Sequence, residues 1–465
     1  MGFDLKNKKV TIMGLGLQGS GVSAAKFFYK QGAKIIITDI KPGERLKSSM
    51  EKLEKFKGIK YVLGQHRPED FTKVNLVIKG PGVPGNSKYL EMARRNEVLI
   101  DTEAGVFFEM VKSPVVGVTG TRGKSTTTQL VYEIFKTAGQ KALLGGNISN
   151  KPLLDILEQV KKNYWIVVEL SSFQLEGIEQ HKKSPKIAVV TNLMKDHLNR
   201  YDNTEDYHKA KETIVRYQTS DDYAVLNYDD EKLREWASRV KSKVWFFSMN
   251  RLGGSRVVFV SEGRIWIKVK EEQEELIELN KIKIIGKHRI YNIMAAAAAA
   301  LAAGIKLTDI KKAVESFKGL EHRLEVIEEK DGVIYVNDTT ATTPEAAVNA
   351  LDSFKSSVFL IAGGSDKGLD FNDMAKKIIE KVKGLILLPG KGTDRLVKFL
   401  RKNIPEEIGE YEFKTADNME QAVRMAASEA GPGEVVLLSP GCASFGMFEN
   451  EFERGEAFKQ AVEEL

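Results

Sequence analysis

The chain has a single cysteine, Cys442, among 465 residues, which excludes an intrachain disulfide framework and a cysteine-based zinc cluster. It also lacks a long apolar run. The most apolar stretch, MAAAAAALAAGI from Met294 to Ile305, is shorter than the roughly 20 residues that cross a bilayer and is rich in the best helix former. A packed helix is expected there, and no membrane insertion. The opening MGFDLKNKKVTIMGLGLQG holds neither the apolar segment nor the cleavage site of a secretion signal, so a cytoplasmic protein is expected. An excess of one charge is missing too: 70 Lys and Arg against 64 Asp and Glu leave a net charge of +6. Spread so thinly, that surplus suits small anionic substrates and lacks the dense basic stripe of a nucleic-acid binder. There is no short-period repeat, and the alanine tract is the one low-complexity segment.

What is present is an alternation of β-branched runs and helical patterns, over a length that calls for two to four domains. KKVTIMGLG, AKIIITD and VNLVIKGPG each read as a strand ending at a turn, with helical segments such as SGVSAAKFFYKQG between them. A second unit begins at SPVVGVTGTRGKSTTTQLVYEIFKTAG, with further strands expected at YWIVVEL and KIAVVTNL, a charged but strand-rich stretch around 220–285, and a long helix at GKHRIYNIMAAAAAAL. After GLEHRLEVI the pattern restarts with GVIYVND, SVFLIAGG, GLILLPG and EVVLLSPG. Strands separated by helices predict parallel, doubly wound sheets, so the expected fold is α/β in three domains, 1–112, 113–318 and 319–465.

VVGVTGTRGKSTTT, residues 115–128, nearly matches a phosphate-binding loop. A strict match needs glycine where Val118 stands; the nearest loop glycine is Gly120, so the loop is shorter than in an ordinary P-loop enzyme. A strand, a glycine turn and a helix starting near Ser125 still aim backbone N–H groups and the positive helix end into one concavity. Lys124 would lie over the β/γ-phosphates, and a hydroxyl of Ser125 or Thr126 would meet Mg²⁺. Glu169 closes one expected buried strand, and Asp196 and His197 follow another. Ligands of open α/β sheets collect beyond such strand ends, which makes Glu169 and His197 candidate Mg²⁺ ligands. Near the N-terminus, Gly14 to Gly19 with Asp39 about 20 residues on satisfies the dinucleotide fingerprint, which taken alone suggests NAD.

GTRGKSTTT, VVELSSFQLE, TNLMKDHLNRY, GKHRIYN, GLEHRLEV and VNDTTATTPEA stand in the order and spacing of the Mur ligase family. The terminal LLSPGCASFGMFENEFERGEAF resembles its MurD-type branch, and the resemblance runs from residue 8 to the end. It implies an N-terminal Rossmann-like domain for a UDP-linked substrate, a central P-loop ATPase with a mainly parallel sheet, and a C-terminal Rossmann-like domain for the incoming amino acid. The implied activity is ATP-dependent amide ligation through an acyl phosphate, joining glutamate, D-glutamate by expectation, to UDP-N-acetylmuramoyl-L-alanine in peptidoglycan precursor synthesis. Its partners would be those small molecules and no nucleic acid, and a monomer is expected.

The resemblance assigns roles residue by residue. Gly120, Thr121, Arg122, Gly123, Lys124, Ser125 and Thr126 would hold ATP, joined by Asn292, Arg323 and Asp338. Two Mg²⁺ would be held by Ser125, Glu169, His197 and a carbamylated Lys211, so that Lys124, Glu169, His197 and Lys211 form the catalytic set. From sequence alone Lys211 would be an exposed helix lysine. Gly16, Leu17, Gln18, Asp39, Gly82, Asn147 and Ser171 would take the UDP substrate, and Thr342, Lys367, Ser444 and Phe452 the glutamate.

Departures narrow the resemblance. Thr340 stands where the MurD-type pattern has a phosphate-contacting lysine, and Arg289, where asparagine is common, is a candidate to replace that charge. ENEFERG displaces the usual aromatic by one residue, which weakens Phe452. TTATTPEA and GGSDKG also resemble a branch that adds L-glutamate, an alternative beside another Mur or folylpolyglutamate-type ligase. An NAD-dependent dehydrogenase leaves GTRGKST without work, and a non-catalytic scaffold has no use for Glu169, His197 and Lys211 together.

Overall fold

The computed structural model describes residues 5–17, 19–148, 151–196, 200–282, 287–404 and 412–465. Three sheets follow one another along the chain. The first contains β1 (Lys9–Met13), β2 (Lys34–Asp39), β3 (Lys60–Leu63), β4 (Leu76–Lys79) and β5 (Leu99–Thr102). Its order is β3-β2-β1-β4-β5, parallel throughout. Val10, Ile12, Ile35, Ile37 and Val77 are all buried, as expected of strands covered by helices on both faces.

The second sheet contains β6 (Val115–Thr119), β7 (Ala142–Gly146), β8 (Trp165–Glu169), β9 (Ile187–Val190), β10 (Tyr223–Asn227), β11 (Lys243–Ser248), β12 (Arg256–Ser261), β13 (Arg264–Val269) and β14 (Glu272–Glu278). The order is β14-β13-β12-β11-β10-β9-β6-β8-β7. Strands β6 to β12 pair in parallel. β12, β13 and β14 are antiparallel, and Glu262 and Gly263, both at positive φ, make the tight turn that joins the first two of them. β6 lies between β8 and β9, so the strand order reverses beside it, and the loop after β6 opens on the crevice where such sheets bind ligands. The helix Lys287–Ala302 buries Ile293 to Ala300 completely; alanine lets it lie close against its neighbours.

The third sheet contains β15 (Glu325–Lys330), β16 (Val333–Asn337), β17 (Val358–Gly363), β18 (Val382–Leu388), β19 (Lys414–Thr415) and β20 (Val435–Leu438). It runs β15-β16-β20-β17-β18-β19, parallel except for the charged edge strand β15.

Two compact units result, Met1–Lys281 with Ile290–Glu315 and Ile282–Arg289 with Ser316–Leu465. The first carries two of the sheets. They share one apolar cluster that includes Phe107, Leu153 and Ile178. At its margin Ser23 donates to Asp155 at 2.8 Å, and His181 Nε2 lies 3.0 Å from Asp101 Oδ2. Inside the contact Glu103 accepts from the Leu154 N–H at 3.2 Å and from Ser20, and burial pushes its carboxyl up to about 7.

Candidate active site

In the first unit the loop after β6 is tied down from the neighbouring strand end. Thr121 N donates to Asn192 O at 2.9 Å, Arg122 N to Asn192 Oδ1 at 2.9 Å, and Thr191 Oγ1 to Arg122 O at 2.6 Å. Met194 N donates to Thr121 Oγ1 at 2.9 Å. These bonds fix the shape of the turn, and they engage the Thr121 and Arg122 N–H groups in doing so. Gly123 ends the loop at φ 81° and caps the helix Lys124–Thr137. A Cβ there would lie 2.2 Å from Asn292 Oδ1, so Asn292 is packed against the loop, with Ser125 in the helix's first turn and Thr126 buried behind it.

Two ammonium groups meet on one carbonyl. Lys124 Nζ donates to Gly120 O and Thr121 O, each at 3.0 Å, and Lys211 Nζ donates to Gly120 O at 3.0 Å. Lys211 lies on the helix Thr204–Arg216 and is 1 % exposed, against the sequence-based expectation of a surface lysine. The reason is its helix face: Tyr207, Ala210, Ile214 and Val215 are buried with it. Burial first, and then Lys124, hold the Lys211 amine well below its ordinary value, while Asp196 and Glu169 oppose the shift. Its Nζ also stands 4.7 Å from the Tyr207 ring centroid.

Glu169 closes β8 and is 2 % exposed. Its Oε1 accepts from Asn147 Nδ2 at 2.9 Å, while its Oε2 is buried with no partner among the described residues. A buried carboxylate oxygen left unpaired is costly unless a cation meets it. The arrangement therefore fits a hard divalent ion at Glu169. Mg²⁺ is such an ion, one that keeps waters and shares substrate phosphates. His197 lies outside the described residues.

At the first sheet, Asp39 accepts from Gly16 N at 3.1 Å and Lys41 N at 2.9 Å, and Ser49 donates to Gly16 O at 2.7 Å. The fingerprint acid thus braces its own glycine turn. Leu17 beside it is 51 % exposed, Gly82 is exposed on the loop after β4, and Gln18 lies outside the described residues. Ser171 is committed locally: it caps the helix Ser172–Glu179 in a reciprocal pair with Gln174.

The second unit gathers the remaining candidates at the carboxyl ends of β16, β17 and β20. Asp338 is buried, accepts from Ser439 Oγ at 2.9 Å and Leu324 N at 3.1 Å, and is pushed up to about 6 by burial, with Arg323 and Arg289 opposing. Arg289 is itself buried, donates to Arg323 O at 2.9 Å, and burial lowers it to about 10. Thr340 gives both its N–H, at 3.2 Å, and its hydroxyl, at 2.9 Å, to His322 O. Lys367 Nζ donates to Thr342 Oγ1 at 3.0 Å. Ser365 and Ala443 pair as an isolated bridge, which brings the loops of Lys367 and of buried Ser444 side by side. Phe452 is 46 % exposed, its ring edge-on to His322.

Sequence reasoning overlooked Thr191 and Asn192, which lock the loop, and Arg454. The Arg454 guanidinium is 1 % exposed and donates to Thr339 Oγ1 at 3.0 Å, Thr339 O at 2.9 Å and Cys442 O at 3.2 Å. The available signal was positional for the first two, polar residues straight after a buried strand; Arg454 had none, since its partners are over 100 residues away or backbone carbonyls.

Three family descriptions match the chain: Mur ligase MurD-like, N-terminal domain over residues 8–101, Mur ligase middle domain over 118–300, and Mur ligase, glutamate ligase domain over 322–442. A protein of Roseiflexus sp. (strain RS-1), named UDP-N-acetylmuramoylalanine--D-glutamate ligase, is 40% identical over 99% of this chain and 99% of its own. One of the same name from Clostridioides difficile (strain 630) is 37% identical over 99% and 100%. Among solved structures, UDP-N-acetylmuramate-alanine ligase MurC from Thermotoga maritima aligns over 98% of this chain and 100% of its own, at 20% identity and TM-score 0.59; that likeness speaks for the fold. Similarity of this depth, sustained from the glycine turn to the last helix, extends far beyond a shared nucleotide loop, and the chain belongs to the Mur ligase family.

Proposed function

We propose that this protein joins glutamate, the D-enantiomer, to the alanine carboxyl of UDP-N-acetylmuramoyl-L-alanine at the expense of ATP. The observation that carries the reading is the buried Lys211 amine held on the carbonyl of a nucleotide loop, next to Glu169 with its unpartnered oxygen. The full-length relatives bearing the D-glutamate name support the enantiomer. We divide the chain by role at about residues 112 and 318, into a sugar-nucleotide part, an ATP part and a glutamate part. A monomer working in the cytoplasm, on small molecules and not on nucleic acid, completes the reading.

The chemistry follows from charge. A carboxylate must be made electrophilic, so its oxygen attacks the γ-phosphorus of ATP, ADP leaves, and an acyl phosphate forms. The glutamate amine then attacks the acyl carbon, phosphate departs, and the amide remains. Both steps crowd anions together, and fixed cations must offset the repulsion. Lys124 and the loop residues 120–126 would hold the phosphates, with Asn292, Arg323 and Asp338 on the rest of the nucleotide. Two Mg²⁺, held by Ser125, Glu169, His197 and Lys211, would supply positive charge to the phosphoryl oxygens. Lys211 can serve there only after its charge is inverted. Its depressed basicity provides a neutral amine, whose lone pair adds to the carbon of CO₂ with loss of a proton to give a carbamate. Gly16, Leu17, Gln18, Asp39, Gly82, Asn147 and Ser171 would seat the sugar nucleotide, and Lys367 and Ser444, with Thr342, the glutamate carboxylates, with Phe452 beside the amino acid.

The test is phosphate release from ATP and Mg²⁺ with UDP-N-acetylmuramoyl-L-alanine and one amino acid at a time. D-glutamate alone should support turnover. Turnover with L-glutamate in its place would move the enzyme to the L-adding branch, and nicotinamide reduction with no phosphate release would end the ligase reading.

A further inference from the structure

We propose that Arg200 is a positioning residue for the sugar-nucleotide substrate, acting through the loop after β4 that it grips. Its guanidinium donates to three successive carbonyls of that loop: Gly82 O at 3.0 Å, Val83 O at 3.1 Å and Pro81 O at 3.4 Å. Few side chains can do this. The guanidinium fork is planar and pre-organised, whereas an ammonium is a point donor on a flexible stem. Pro81 to Asn86 belong to no helix or strand, and a Cβ at Gly82 or Gly85 would meet nothing within 4 Å, so side-chain bonds to the loop's carbonyls help to set its place. Two further side chains reach it: Lys79, at the end of β4, donates from Nζ to Val83 O at 3.1 Å, and Arg94 Nη2 donates to Gly85 O at 3.0 Å, away from the three carbonyls that Arg200 holds.

The grip is anchored in the other sheet's layer. Arg200 lies 4.8 Å over the Phe173 ring and 3.8 Å from the Glu176 carboxylate, both on the helix Ser172–Glu179 that starts just after Glu169. Phe173 stacks on Tyr201 at 6.0 Å, and Tyr201 packs against Tyr207 at 5.4 Å. The loop of the first sheet is therefore held at a fixed place relative to the ATP-binding sheet by a residue that itself follows the 191–196 segment. A substrate spanning from the first sheet to the γ-phosphate needs that spacing fixed, because an error of about 1 Å at the reacting atoms costs on the order of 100-fold in rate. The inference rests on the proposed placement of the sugar nucleotide at Gly82. It adds that the loop's position is set from the central sheet, not by the first sheet alone.

The experiment measures binding of UDP-N-acetylmuramoyl-L-alanine and of ATP separately by calorimetry, with turnover alongside, for the wild type, Arg200→Ala and Arg200→Lys. Losing a charged hydrogen-bonding group of this kind corresponds to about tenfold or more in Kd. Arg200→Ala should weaken the sugar nucleotide by that factor and leave the ATP Kd within about twofold, a split that general loosening of the fold would not produce. Arg200→Lys should recover little of the loss, since charge without the fork cannot serve three carbonyls. Equal losses for both ligands, unchanged sugar-nucleotide affinity in Arg200→Ala, or wild-type affinity in Arg200→Lys would each overturn the proposal. A wild type that binds no sugar nucleotide would instead refute the functional reading on which it stands.

Discussion

Lys211 and Lys124 share the Gly120 carbonyl at 3.0 Å each, and two cations so placed repel. Relief comes either from loss of the Lys211 proton or from conversion of that amine into an anion, and the second fits the proposed function, in which phosphates and metal gather there. Intact-mass analysis should therefore find one added CO₂ that Lys211→Ala lacks, with turnover of the variant down by at least about 100-fold, the scale of a lost preorganised charge. A fully active Lys211→Ala would exclude the carbamate. At the second unit's site, Thr340 spends its hydroxyl on His322 O and cannot replace a lysine, while Arg289 faces Asp338 from a buried position. Arg289 also donates to Arg323 O at 2.9 Å, and losing a charged hydrogen-bond donor of this kind costs about 1.5–3 kcal/mol. Arg289→Ala should accordingly lower the unfolding midpoint and raise the ATP KM together; an unchanged KM would leave Arg289 purely structural. The motif letters named Lys211, Thr340 and Arg289, but not their burial or partners. GTRGKST marks the loop, but the depth of Lys211 depends on Tyr207, Ala210 and Ile214 turning the same helix face inward.

The elements themselves were largely readable. KKVTIM, IIITD, WIVVE, IAVV and the strands β16, β17, β18 and β20 form because runs rich in β-branched and other apolar residues are buried on both faces. β3, β5 and β7 are short strands without such runs, and neighbouring strands recruit them. β15, EVIEEK, is half-exposed at an edge and carries charges there. The close fit of element ends also shapes the site. Gly146 ends β7 at φ 91°, and a Cβ there would stand 2.2 Å from Glu169 O. Gly146→Ala should cost about 1–3 kcal/mol through backbone strain and displacement of Glu169, and it should raise the Mg²⁺ concentration needed for half-maximal turnover. Unaltered stability and metal demand would show that β7 and β8 can separate freely at this end. Arg454 links loops of the second unit in the same way, through Thr339 and Cys442.

At the scale of the whole molecule, buried carboxyls set how stability follows pH. Glu103 is pushed from an ordinary 4.5 up to about 7 and Asp338 from 3.8 up to about 6, both chiefly by burial. The folded protein keeps protons that the unfolded chain releases across these windows, so stability falls as pH rises from about 4 to 7 and levels off above. For Glu103 the change is about 3 kcal/mol at most. Urea midpoints at pH 5 and 7.5 should differ in that direction, and Glu103→Gln should shrink the difference; a midpoint rising with pH, unaltered in the variant, would place the controlling groups elsewhere.

By itself the sequence determined the alternation of strands and helices, the three sheets in their order, and the glycine-lysine-serine turn at the end of a buried strand. These are matters of local periodicity and of residues that permit one backbone shape. Only the tertiary structure decided that Glu169 keeps an oxygen unpaired, that Lys211 lies in the interior beside a second lysine, and that Arg200 reaches from one sheet's layer to three carbonyls of another. Those properties depend on burial and on groups brought together from positions up to 119 residues apart, and desolvation and Coulomb energy act through space, not along the chain.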